Sequence, residues 1–429
     1  MLIDRKKYRP RLIDDVVEKH LRAFGAVEIT GTMWSGKTWT SRAHGRSLVN
    51  LDDPQARELA QLSPEAILAG EEPRVIDEWQ EVPAVWDSVR QRVDEAGGRK
   101  GLYLLTGSSR PAKDTVHHSG SGRISRLRMW PMTLNEAGHG VASVSLAGLF
   151  DGQFESGPAE VDLDQLAQWI CRGGWPAALT LDDELAQLIP TQYLDTLVSS
   201  EDRKAPESES DQMLFLQSLA RNVGSAVTID TLAKDMGYLT DGRVNETGRS
   251  RTRNLLAYFS NRFIVSELHG WDAPVKSPQR LRTKPRYDFA DPSLAAALLG
   301  MDSDSLMGNM QVFGQLFEQL CLRDLHVYAS LMEKAGPDPL RYYRDADGLE
   351  LDAIIELRDS RWAAIEIKLG VNKAEAAQKS LLRLKEKVAA NPAARNPEPA
   401  FLMVLVGMGK YAYQTPEGVY VVPLTCLGA

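Results

Sequence analysis

The run Gly31-Thr-Met-Trp-Ser-Gly-Lys-Thr38 stands directly behind the apolar segment Ala26-Val-Glu-Ile29, and it fits the pattern G-x-x-x-x-G-K-[ST] at the point where a strand would enter a helix. This placement fixes an α/β core before anything else is read. Glycines at 31 and 36 let the backbone fold tightly enough for its N–H groups to face phosphate oxygens. Lys37 can reach the β and γ phosphates, and Thr38 can hold magnesium. The expected ligands are ATP and Mg2+, with Gly31, Thr32, Met33, Trp34, Ser35, Gly36, Lys37, Thr38 and Trp39 as the binding segment. The bland alternative is an ordinary glycine-rich strand-to-helix turn, and the strand in front argues against it.

Such a loop needs a second strand that ends in acids, and Arg74-Val-Ile-Asp-Glu78 supplies one. Asp77 is expected to hold magnesium through its water shell, and Glu78 to orient or deprotonate the attacking water. A third strand, Gly101–Leu105, runs into Thr106-Gly-Ser-Ser109 at the edge where open α/β sheets bind ligands. Either Thr106 or Ser108 could sense the γ phosphate there; a plain turn weighs as much for each one taken singly. The segment Ser119–Glu136 brings Arg123, Arg126 and Arg128 close together. Arg123 is the favoured candidate for an arginine finger given by a neighbouring copy, which implies a homo-oligomer. A solvated basic loop or a nucleic-acid contact stands beside that reading at equal weight.

A chain of 429 residues is too long for one ordinary core, so two to four modules are expected. The net charge of −8 argues against a surface coated for non-specific DNA binding, which leaves local patches. Cys171, Cys321 and Cys426 are scattered without metal-ligand spacing, as expected in a reducing cytoplasm. The amino terminus has no apolar core of a signal peptide, and no apolar run approaches the roughly 20 residues of a membrane helix, so no membrane association is expected.

Tyr8-Arg-Pro-Arg11, the phosphate loop, Val75-Ile-Asp-Glu-Trp-Gln80, Leu105-Thr-Gly-Ser-Ser-Arg-Pro111, the arginine-rich block ending at Glu136, and Cys171-Arg-Gly-Gly-Trp-Pro176 together resemble one family. It is the AAA-type (AAA_14) ATPases of bacteria and archaea that carry a carboxy-terminal DUF4143 domain, themselves similar to the wider archaeal-ATPase group. The resemblance covers nearly the whole chain. It implies an ATPase core joined to a winged helix and a nuclease-like domain.

Between Val161 and Leu197 the apolar spacing predicts a small helical lid, and the polar stretch Glu201–Asp211 reads as a linker. Next come a helix over 212–222, a short helix capped by Thr228, and a helix near 248–263 with Arg249, Arg251 and Arg253 at its amino-terminal end. That order suits a winged helix, whether it reads DNA or serves as a scaffold. The basic stretch Lys276–Arg286 is a phosphate-contacting wing or a solvated loop. Farther on, Leu349–Leu357 and Arg361–Leu369 alternate as strands. By a period of two, Glu350, Asp352 and Ile354 share one face and Trp362, Ala364, Glu366 and Lys368 another, so Asp352, Glu366 and Lys368 can meet at one point. This is the Asp…Glu-x-Lys constellation of restriction-endonuclease-like folds, with Glu318 placed like the helix acid of such nucleases. In an active member two carboxylates would bind magnesium and the lysine would steer the water. Cross-strand charge pairing is the plain alternative.

The fold expected is therefore α/β: an AAA-like P-loop NTPase core over 1–150, a helical lid and linker over 151–205, a winged-helix-like domain over 206–290 and a nuclease-like α/β domain over 291–429. The activity expected is magnesium-dependent ATP binding and hydrolysis, coupled to the later modules, with DNA as one candidate for what they act on. The alternative is a nucleotide-gated switch or scaffold that acts through an unknown protein partner, its nuclease-like domain inactive.

Overall fold

Five short runs form an all-parallel sheet: β1 (Ala26–Thr30), β2 (Ser47–Asn50), β3 (Arg74–Asp77), β4 (Tyr103–Gly107) and β5 (Ile124–Arg128). Their order across the sheet is β2-β3-β4-β1-β5, so the chain skips from β1 to the far edge and returns, placing the carboxyl ends of β1, β3 and β4 side by side. Parallel strands covered on both faces must be apolar throughout, and Val27, Ile29, Val75, Ile76, Leu104 and Leu105 are all completely buried. Helices cover the faces. On one, Trp79, Trp86 and Val89 pack with Ile76 and Leu105; on the other, Val17 packs with Val27, Ile29 and Val75.

The computed structural model describes residues 2, 7–111, 119–198, 205–274 and 276–429. They fall into two units, Met1–Pro131 with Asn261–Phe263 and Met132–Ser260 with Ile264–Ala429.

In the first unit two expectations change. The third strand starts at Tyr103 rather than Gly101, because Gly101 takes a left-handed conformation (φ 67°) that ends an extended run. The arginine-rich block is no loop at Ile124–Arg128 but the edge strand β5, on which Arg126 lies opposite Glu28 of β1.

In the second unit, the helix Leu163–Arg172 opens with a capping box between Asp162 and Gln165. Beyond it, Gly173-Gly174-Trp175-Pro176 is a buried joint: the Gly174 N–H donates to Asp291 (2.9 Å) and the Trp175 indole N–H to Ser293 (3.0 Å). Asp291 also pairs with Arg323 (2.8 Å), which holds Asp324 in turn (2.7 Å). Of the expected linker, residues 201–204 lie outside the described residues. Its end is helical, since Ser208 caps a helix over Glu209–Arg221 whose first turn carries Glu209 and Asp211. Helices Ile229–Asp235 and Glu246–Asn261 follow, joined through a hairpin of Leu239–Thr240 with Arg243–Val244, and then the antiparallel pair Val265–Leu268 and Arg286–Phe289.

The last sheet has six strands: β6 (Ala335–Arg344), β7 (Glu350–Leu357), β8 (Trp362–Lys368), β9 (Phe401–Val406), β10 (Tyr413–Gln414) and β11 (Tyr420–Pro423), in the order β6-β7-β8-β9-β11-β10. Helix Ala374–Ala389 packs Leu381 and Leu384 against Ile354, Trp362 and Val404. The strict alternation expected of β7 breaks near Asp352: Tyr343 faces Leu351 but Arg341 faces Ile354, so β7 carries one extra residue. A bulge of this kind turns a side chain away from the face its parity would give it, and Leu351 and Ile354 accordingly share one core.

Candidate functional site

The loop Gly31–Thr38 joins β1 to the helix Lys37–His44. Gly31 (φ 155°) passes so close to the neighbouring backbone that a Cβ there would lie 2.1 Å from the Met129 carbonyl oxygen, and Gly36 (φ 100°) is a left-handed N-cap. The helix therefore begins with uncommitted N–H groups facing the loop, a ready anion site. Lys37 is buried, and its ammonium donates to the Thr32 carbonyl at 2.8 Å. Burial pulls its pKa down, while the charges of Glu78 and Asp77 oppose that. The Thr32 hydroxyl is buried without a partner. An orphaned hydroxyl, a backbone cradle and a buried ammonium held by one carbonyl form a set that a phosphate group completes.

The acids arrive from β3. Thr38 Oγ1 donates to Asp77 Oδ1 at 3.0 Å, and the Thr106 hydroxyl donates to the same oxygen. Burial raises the Asp77 pKa, and the Thr106 hydrogen bond works against that. A hydroxyl beside a carboxylate is the donor chemistry that magnesium takes, so these residues fit the ion. Glu78 follows in a left-handed conformation (φ 54°), unusual for a non-glycine residue. Its Oε2 accepts from Gln80 Nε2 (2.5 Å), Ser108 Oγ (2.8 Å) and the Ser108 N–H (3.3 Å), and its own N–H donates to Thr106 Oγ1 (3.2 Å). Thr106 and Ser108 thus join the loop and the two acids in one cluster. Trp34 and Trp39 are exposed.

Arg123 is not brought there. It precedes β5 at the amino-terminal edge of the sheet, where Ala26 N–H donates to its carbonyl and its guanidinium pairs with Asp94 at 2.7 Å. One strand length, roughly 16 Å, separates that edge from the loop. Arg126 pairs with the buried Glu28 at 3.0 Å and lies over Trp86, and Arg128 stacks on Trp130 at 3.7 Å.

Three contributors escaped the sequence reading. Arg11 donates to Ser35 O (2.7 Å) and Trp130 O (3.0 Å), bracing the loop from the amino-terminal segment. Gln80 holds Glu78. Glu28 accepts from the Trp79 indole (2.9 Å), which anchors the turn after Glu78. A lone acid inside an apolar strand was the available signal for Glu28; Arg11 and Gln80 stood within the runs that carry the family resemblance, but those runs did not give their contacts with Ser35, Trp130 and Glu78.

The second polar locus joins Glu318, Asp352, Glu366 and Lys368. Asp352 Oδ2 accepts the Ile367 N–H (2.7 Å) and Lys368 Nζ (3.3 Å); Lys368 also pairs with Glu366 (3.0 Å). Glu318 pairs with Arg286. Burial first, and then the Asp352 charge, push Glu366 up to about 8 and raise Glu318 likewise. Asp352, Glu366 and Lys368 lie together, and Glu318 joins them through Arg286, an unforeseen member.

Three family models match this chain: an AAA domain over residues 24–138, a domain of unknown function, DUF8612, over 163–305, and another, DUF4143, over 313–427. Two uncharacterized mycobacterial proteins, Rv2008c of Mycobacterium tuberculosis and Mb2031c of Mycobacterium bovis, are each 26% identical over 380 residues, spanning 86% of this chain and 74% of theirs. Among solved structures, the Walker-type ATPase PABY2304 of Pyrococcus abyssi is similar at TM-score 0.44 and 12% identity over 70% of this chain and 100% of that one. The Aeropyrum pernix ORC1 protein in complex with DNA is similar at TM-score 0.22 and 13% identity over 70% and 93%. Both likenesses are too loose to bear on fold or partners. The AAA match supports nucleotide binding and hydrolysis as the activity. The two matches support an AAA-type P-loop ATPase domain over residues 24–138 and a DUF4143 domain over residues 313–427.

Proposed function

We propose that the protein is a magnesium-dependent ATPase whose nucleotide cycle drives its carboxy-terminal modules. The observation that carries this is the junction of loop and acids: Thr38 bonded to Asp77, with Lys37 buried beside both Asp77 and Glu78. The loop N–H groups and Lys37 bind and orient the phosphates. Thr38 would hold magnesium, with Asp77 acting through its water shell. The ion, when bound, neutralises phosphate charge. Glu78 orients the attacking water, and Ser108 and Gln80 fix where its carboxylate sits. An arginine from a second copy, Arg123 in this reading, completes the charge on the transferring group. The modules are read as an ATPase core to about residue 150, a lid and linker to 205, a winged-helix-like domain to 290 and a nuclease-like domain to the end. The helix order and the strand pair Val265–Leu268 with Arg286–Phe289 support the winged-helix part.

A second reading takes the output to be a protein contact rather than DNA. The arginines of helix Glu246–Asn261 favour it, since Arg249 pairs with Asp230 (2.7 Å), Arg253 with Glu246 (3.1 Å) and Arg251 with Glu207 (3.8 Å), leaving little charge for phosphates. No helix among the described residues is long and apolar enough to cross a membrane. ATP turnover of the wild type and of Glu78→Gln, each with and without duplex DNA, tests both readings. The ATPase reading expects a loss of about 10²-fold or more in the variant, and wild-type turnover in Glu78→Gln would sink the assigned role. Stimulation by DNA would decide against the protein-contact reading.

A further inference from the structure

The nuclease-like reading of the carboxy-terminal sheet implies a divalent ion between Asp352 and Glu366, and the residues do not fit one. Magnesium needs carboxylate oxygens turned toward a common point, with coordination positions left open for water and substrate. Here Asp352 Oδ2 is taken by the Ile367 N–H and Lys368 Nζ, and Glu366 Oε1 by Lys368 Nζ at 3.0 Å. The other Glu366 oxygen faces the Asp352 N–H at 3.4 Å. Lys368, which in an active site would reach for water, is bonded to both acids. Among the described residues no group of three or more histidine, cysteine, aspartate or glutamate side chains is disposed to hold a metal.

What stands in the cluster is a guanidinium. Arg286 is 1% exposed, pairs directly with Glu318 and acts by charge on Asp288 and Asp352. It comes from the strand Arg286–Phe289, outside the sheet that carries Asp352 and Glu366. Three buried atoms in this neighbourhood have no partner: the acceptors Asp288 Oδ2 and Gln319 Oε1 and the donor Arg286 Nε. Two acceptors with an N–H donor suit a water molecule, whereas a cation has no use for the N–H.

We infer that Arg286 supplies from within the chain the positive charge that a metal supplies in a nuclease, so that Glu318, Asp352, Glu366 and Lys368 form a structural joint rather than a cleavage site. The joint ties the strand Arg286–Phe289 to helix Met310–Leu331 and, through Asp352, to β7 and β8. A buried cation removed alone leaves its acids uncompensated, while removal of both partners is tolerated far better. The cluster should therefore respond to a paired substitution as an ion pair does.

Nucleotide-free full-length protein titrated with Mn2+ and followed by electron paramagnetic resonance reads the site directly. Asp352→Asn in the wild-type background is expected to remove no bound Mn2+. In Arg286→Met, one Mn2+ is expected to bind at least about tenfold more tightly than any in the wild type, and to be lost again on adding Asp352→Asn. A wild-type Mn2+ ion that Asp352→Asn abolishes would overturn the inference, as would a folded Arg286→Met that gains none. Thermal unfolding covers the case in which that variant is too weak to titrate. Its midpoint should fall by about 10 °C, and Glu318→Gln in the same background should recover at least half of the fall; no recovery counts against the joint. None of these readouts depends on ATP turnover, so failure here is distinguishable from failure of the ATPase reading.

Discussion

The phosphate-loop cluster and the carboxy-terminal cluster each set a lysine among acids, and they treat their charges in opposite ways. Around the phosphate loop, Lys37 bonds to a backbone carbonyl, while Asp77 and Glu78 accept from hydroxyls, an amide and a backbone N–H. In the carboxy-terminal cluster, Lys368 bonds directly to Asp352 and Glu366, and Arg286 to Glu318. A site that must receive a charged ligand keeps its ions on neutral partners, because a neutral hydrogen bond is exchanged more cheaply than an ion pair. A site that closes its ions on one another gains rigidity and gives up the capacity to bind.

The sharpest way to break this comparison is to neutralise each lysine with an isosteric residue. Lys368→Met should cost about 3 kcal/mol in unfolding free energy, since it leaves two acids near each other without their cation, and should leave ATP affinity in the isolated protein unchanged. Lys37→Met should do the reverse: ATP affinity and turnover are lost, while stability stays within about 1 kcal/mol, because a buried ammonium held by a single carbonyl contributes little to folding. Chemical denaturation and nucleotide titration of both variants measure the pair. If Lys37→Met proves the destabilising one, the division between an open and a closed cluster is wrong.

A smaller effect sharpens the open side. Ser108 holds the Glu78 carboxylate through both hydroxyl and N–H, so Ser108→Ala removes one restraint and keeps the other. We expect kcat for ATP hydrolysis to fall about tenfold with KM little changed, the signature of a misplaced catalytic group. A rise in KM at unchanged kcat would assign Ser108 to nucleotide binding instead.

Legibility in the sequence followed the same division. The loop, Asp77-Glu78 and the strand preceding each could be read because their chemistry is local: four fixed positions, a strand and an acid in continuous runs. The constellation of Asp352, Glu366 and Lys368 was also visible, since a hairpin is nearly local. Its meaning was not, because Arg286 comes from 66 residues before Asp352, and because the extra residue in β7 spoils the parity on which the face assignment rested. Arginine-rich runs misled for a related reason. Arg126, Arg249 and Arg251 look like an anion-binding surface in sequence, yet each finds an acid that only the fold brings within reach.

The closed cluster makes one further demand, on pH. Glu366 is raised from an ordinary 4.5 to about 8, by burial and then by the Asp352 charge. Between those values the folded state holds a proton that the unfolded chain has released, so stability must fall as pH rises through that window and level off above it. Glu318 and the buried Asp324 are raised as well, by burial in the first place, and slope in the same direction. Glu366→Gln cannot lose that proton. Its unfolding free energy should therefore fall less steeply between pH 5 and 8, by up to about 1.4 kcal/mol per pH unit where the single group titrates fully. Denaturant titrations of wild type and variant at several pH values give the difference directly. Parallel slopes would mean that Glu366 is already ionised in the folded protein, held so by Lys368, and that the cluster carries more negative charge than its two resident cations balance.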